Sequence, residues 1–189
     1  MAKIIHVLVP LLLLMAVTHL SEAVGEGVGV GVDVQPVPTI VNLNTLERFQ
    51  TQQHHGYLLL QWYLNVCLMN TGMTQTTTCT PGNENYARYG FRQFHNNGQL
   101  LPGLTVQGYR YYKVGNLNEG PLLPHAVSRY YYEHQRRDIF NRDRLVMSYN
   151  ARTNTVGEIY ISDHYGAAST FRVGPNVITA LRRLGPPTG

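Results

Sequence analysis

The chain is poor in lysine, cysteine and long apolar runs, and each shortage narrows what it can be. Two lysines, Lys3 and Lys113, leave 13 of the 15 cationic side chains as arginine. Past the leader the positive charge is therefore carried almost wholly by planar forks that grip phosphate bidentately, not by point charges. Two cysteines, Cys67 and Cys79, are too few for a disulfide scaffold; they staple one short loop between Leu68 and Thr78, unless both are free buried thiols. No His/Cys/Asp cluster stands at metal-ligand spacing, and His54-His55 reads as a solvated pair, so no metal and no cofactor are expected. The glycine-rich lead lacks the following lysine and the strand-to-helix context of a phosphate loop. Beyond the N-terminal leader, no segment approaches the ~18 apolar residues of a membrane span.

Three stretches carry chemistry. Tyr130-Tyr131-Tyr132-Glu133-His134 is followed by Asp143-Arg144-Leu145-Val146 and then by Ile161 to Phe171, which contains Asp163-His164-Tyr165-Gly166. They supply a carboxylate, a guanidinium and an imidazole, each expected on its own β-strand. Metal-free cleavage of RNA needs a base for the 2′-hydroxyl, a cation for the phosphate and an acid for the leaving 5′-oxygen. Histidine is suited to proton transfer near neutrality, and a glutamate beside arginine is held ionised. Taken singly, each residue has a blander explanation as a surface charge or a turn. Six arginines fall between positions 129 and 152, and net charge is +4 with pI near 9.1. An arginine-rich solvated face without a ligand is the plainer account of that run. The 13 tyrosines suit stacking on bases and packing in sheets equally well.

Residues 1–23 read as a signal peptide: Lys3, an apolar run from Val7 to Val17, and small residues around Ser21-Glu22-Ala23. Residues 24–39 form a Gly/Val/Pro-rich lead expected to be disordered. A single domain is expected over 40–189, large enough for a real core. Asn44 to Glu47 has the pattern of a helix start. Tyr57 to Met69 reads as a buried helix, with a strand nearly as good. Strands are expected at Thr105–Val114, Val127–His134, Arg144–Tyr149, Val156–Ser162 and Ser169–Val173, with Asn150–Thr155 as a hairpin turn. Leu145, Met147 and Tyr149 should share one face, Arg144 and Val146 the other. Gly174-Pro175-Asn176 should open a last helix through Leu184. Helix first and antiparallel strands afterwards read as α+β.

The second half resembles the microbial guanyl-preferring ribonuclease superfamily, which includes the T1-like enzymes, the ribotoxins and barnase. Tyr131-Tyr132-Glu133 resembles its base-bearing strand, Asp143-Arg144-Leu145-Val146 its phosphate-arginine strand, and His164 to Phe171 its final segment. Phe94-His95-Asn96-Asn97-Gly98 with Leu101-Pro102-Gly103 resembles the loop before the catalytic sheet. The resemblance implies Glu133 as general base, Arg144 as phosphate clamp, His164 as general acid and Phe171 as an apolar wall. It implies substrate contacts from Tyr86, Arg88, Arg92, Asn96 and Asn97. It implies a fold, an N-terminal helix packed on a curved antiparallel sheet, and a reaction, transesterification of single-stranded RNA through a 2′,3′-cyclic phosphate. The family's further histidine or lysine on the first strand falls here on Arg88 or Arg92, which cannot act as a proton-transfer group. That departure supports a second expectation, a catalytically impaired ribonuclease-like effector of the kind plant-pathogenic fungi secrete, binding RNA or host proteins. In either case the mature protein is expected to be secreted, monomeric and free of the membrane. A third expectation is a secreted β-rich binding domain unrelated to RNA.

Overall fold

The computed structural model describes residues 36–42, 54–71, 74–81, 88–120 and 122–188. The expected signal peptide, most of the expected lead, the expected helix start at Asn44–Glu47 and Tyr86 lie outside the described residues.

The architecture is α+β: a mixed sheet with helices on one face. Six strands run in the order β1 (Thr39–Ile40), β8 (Thr170–Val173), β7 (Thr155–Asp163), β6 (Asp143–Asn150), β5 (Tyr109–Val114) and β4 (Arg92–Gln93). A hairpin of β2 (Leu68–Thr71) and β3 (Thr74–Thr77) joins the start of β7. The sheet departs from the all-antiparallel expectation at one edge, because β1 runs parallel to β8. All eight residues of β6 are buried, as a central strand covered on both faces requires. Leu145, Met147 and Tyr149 enter the larger core, while Val146 joins Tyr111, Tyr160 and Leu101 in a smaller cluster on the opposite face. The expected alternation of β6 is therefore observed, and β6 pairs antiparallel with β7 across the polar turn.

The larger core lies between the sheet and three helices. α1 (His54–Trp62) runs into a single π-helical turn, Tyr63–Cys67, after which the chain becomes strand at Leu68. Leu59, Leu60, Trp62, Tyr63 and Leu64 are buried almost completely, which answers the helix-or-strand ambiguity in favour of helix. Cys67 and Cys79 form the expected disulfide, with Cα atoms 5.0 Å apart, stapling the hairpin to the end of that helix. α3 (Pro175–Arg183) starts where Gly174-Pro175 predicts, with proline in its first turn and Arg182-Arg183 in its last, favourable to the helix dipole.

The segment expected as a strand at Val127–His134 is instead helix α2 (His125–Glu133). Three consecutive tyrosines read as strand by propensity, but packing decides otherwise. Val127, Ser128 and Tyr131 are buried, a spacing that puts them on one helical face, and the Tyr131 hydroxyl donates to Asn118 Oδ1 at 2.6 Å. Pro124 sits at the N-cap, and the left-handed residues Gln135 and Arg136 close the other end, with the Arg136 amide donating back to Tyr131 O at 2.8 Å. The strand expected from Thr105 begins only at Tyr109, because Gly108 at φ +88° ends an irregular loop there.

Candidate functional site

The sheet face away from the helices carries Lys113 from β5 and Arg144 from β6, with His164 one residue beyond the end of β7. Lys113 pairs with Val146, and Arg144 with Ser162, so Arg144, Val146 and Lys113 share that face. A cleft of about 150 Å³ is lined by Lys113, Asn116, Glu119, Arg144, His164 and Tyr165. A second, of about 410 Å³, shares Asn116, Arg144 and His164 and adds Asp138, Asn141 and Arg142.

Each cation is held by identifiable neighbours. Arg144 is 7% exposed, and its Nη1 donates to Asp143 O at 2.7 Å, Asn141 O at 3.0 Å and Gly115 O at 3.2 Å. These carbonyls fix one prong of the fork; Nη2 and Nε have no hydrogen-bond partner among the described residues. Lys113 Nζ lies 5.0 Å from the centroid of the Tyr165 ring, which itself stacks on Phe94 at 5.3 Å. His164 is exposed in a turn where it and Tyr165 both have positive φ, 47° and 63°. Such a pair costs on the order of 1 kcal/mol or more per residue. The turn is pinned by Gly166 N donating to Asp163 O, Tyr165 N to Ser162 Oγ, and His164 N to Arg142 O, each at 3.0 Å. Arg142 Nε also bonds Asp163 Oδ1 at 2.9 Å, tying the start of β6 to the end of β7.

The remaining expected site residues are scattered. Glu133 ends α2, half exposed, in an i,i+4 ion pair with Arg129 at 3.5 Å, and lines neither cleft. The strand placement that would have aimed it at Arg144 does not exist. Phe171 pairs with Ile161 and packs against the larger core, on the side of the sheet opposite Arg144, so it is no wall to that cleft. Arg92 on β4 ion-pairs with Glu119 at 2.7 Å, and the Arg88 guanidinium lies 5.8 Å from the Tyr89 ring. Asn96, at φ 52°, closes its own loop through two bonds to the Leu101 backbone, while Asn97 is exposed.

Sequence reasoning missed Lys113, Asn116, Glu119 and Tyr165 as site residues. The signal for Lys113 was present, as the sole lysine besides Lys3 and at the end of a Tyr109-x-Tyr111-x-Lys113 alternation. Three or more His, Cys, Asp or Glu side chains able to hold a metal do not come together among the described residues. No protein-family model, curated protein or solved structure matches this chain.

Proposed function

We propose that this is a secreted ribonuclease-like effector that binds single-stranded RNA through its phosphates and is impaired in cleaving it. The observation that carries the reading is the convergence of Lys113, Arg144 and His164 on one cleft, with Glu133 ion-paired elsewhere. Lys113 and a fork whose Nε and Nη2 have no partner among the described residues suit a phosphodiester. Tyr165 beside them offers a stacking surface. The carboxylate in that cleft, Glu119, is already held by Arg92. The order of the Asp143-Arg144 and Asp163-His164 strands, with a helix on the far face of the sheet, supports the ribonuclease-like likeness. The leader pattern and the Cys67–Cys79 bond support secretion.

Purified protein should bind a single-stranded oligoribonucleotide with an affinity that falls steeply with salt, and leave it intact in EDTA. Absence of salt-dependent binding would sink the reading. A second reading, cleavage with His164 as acid and Glu119 as base, is favoured by Glu119 lining the same cleft. Cyclic-phosphate ends formed in EDTA, and lost in both Glu119→Gln and His164→Ala, would establish it.

A further inference from the structure

A larger depression, of about 490 Å³, lies on the same sheet face at the other end of β5, lined by Tyr109, Tyr111, Ser148, Gly157 and Glu158 beneath the loop Pro102–Val106. It exists because of a bulge. Met147 pairs with Ile159 but Tyr149 with Val156, so Ser148 faces both Gly157 and Glu158. Bulges re-aim side chains next to sites. Ser148 Oγ accepts from the Glu158 amide at 2.8 Å, fixing the bulge. A Cβ on Gly157 would stand 2.5 Å from Ser148 Oγ and 3.3 Å from the Tyr109 ring, so any other residue there would fill the floor.

We propose that this depression holds a nucleobase bearing an exocyclic amino group, on a nucleotide neighbouring the one whose phosphate sits at Lys113, Arg144 and His164; the inference rests on the RNA-binding reading. Tyr109 supplies aromatic surface, the buried Tyr111 ring lies at the base, and Leu104 and Val106 form an exposed apolar wall. The polar recognition comes from Glu158. Its Oε1 accepts from Arg172 Nη1 at 2.7 Å and its Oε2 from the Tyr160 hydroxyl, which orients the carboxylate and leaves lone pairs for a further donor. A carboxylate accepts from the 4-amino group of cytosine and finds no matching donor on the 4-keto oxygen of uracil. Four residue steps along β5 separate Lys113 from Tyr109, about 13 Å at ~3.3 Å per residue, so phosphate and base belong to different nucleotides.

The test compares tetracytidylate with tetrauridylate, matched in charge and nearly in shape, at one salt concentration. Wild-type protein should bind the cytidine oligomer about tenfold more tightly. Glu158→Gln should erase that ratio; because it also removes a negative charge, the ratio is the readout and not the affinity. Amide shifts at Tyr109 and Glu158 on adding cytidine nucleoside to wild-type protein, with none from uridine, should accompany the preference. Equal binding of both oligomers overturns the subsite and leaves the phosphate reading standing. A cytidine preference that survives in Glu158→Gln overturns the assignment to this depression. Failure to bind either oligomer overturns the RNA reading and the subsite with it.

Discussion

The Asp143 carboxyl group accepts a hydrogen bond from the Gly56 amide at 2.6 Å, so the first residue of β6 caps the first turn of α1 across 87 residues of sequence. A Cβ on Gly56 would stand 2.7 Å from that same oxygen. Gly56→Ala should therefore push Asp143 away and cost roughly 1–3 kcal/mol despite alanine's better helix propensity. A denaturant midpoint equal to that of the wild type would show that the cap tolerates displacement.

Asp143 and His55 give stability an uneven pH dependence. Burial, opposed by the Gly56 bond, pushes the Asp143 carboxyl up to about 8, and burial with the nearby Arg144 charge pushes the His55 imidazole down to about 3. A raised acid binds its proton more tightly when folded, so stability falls as pH rises from about 4 to about 8. A depressed histidine is neutral when folded, so its share of stability, complete above its unfolded value of 6.5, is lost as pH falls towards 3. Between about 4 and 6.5 the two slopes cancel. Above 6.5 only Asp143 acts, and stability should drop by on the order of 1–2 kcal/mol by pH 8. In Asp143→Asn that decline should vanish and a loss of stability below pH 6.5 should emerge. Thermal melts of both proteins across pH 4 to 8.5 check this; identical profiles would refute it.

Reduction of the Cys67–Cys79 bond frees a loop with a sequence separation of 12. Loop-closure entropy puts the loss near 3 kcal/mol. The midpoint of urea unfolding should fall accordingly in dithiothreitol, and a Cys67→Ala/Cys79→Ala double variant should show the same fall without reductant.

Lys113 and Glu133 separate the observed cleft from the one expected from sequence. Lys113→Ala should weaken RNA binding and reduce the slope of log affinity against log salt by about 1. Glu133→Gln, on the outer end of α2, should leave both unchanged. The opposite pattern in a filter-binding series would place the RNA on the helix instead of the sheet.

Much of the sheet was legible in the sequence. The alternation in Leu145-Val146-Met147 separated the face of β6 that meets the helices from the opposite one, and Gly174-Pro175 marked the start of α3. The disulfide followed from two cysteines and a leader pattern. The site was legible only in part. Arg144 and His164 share their cleft, but Glu133 and Phe171 do not reach it, since a tyrosine run can serve a helix as well as a strand and a one-residue change of face reverses a side chain.

Local rules, which act through neighbours in sequence, determined the hairpin turn, the last helix and the identity of the cationic residues. Tertiary packing decided what those rules leave open. Burial of Val127 and Tyr131 made the Tyr130–Glu133 segment helical, and β5–β6 pairing set Lys113 on the face of Arg144. Register across strands depends on partners distant in the chain, and it is register that fixes which charges meet.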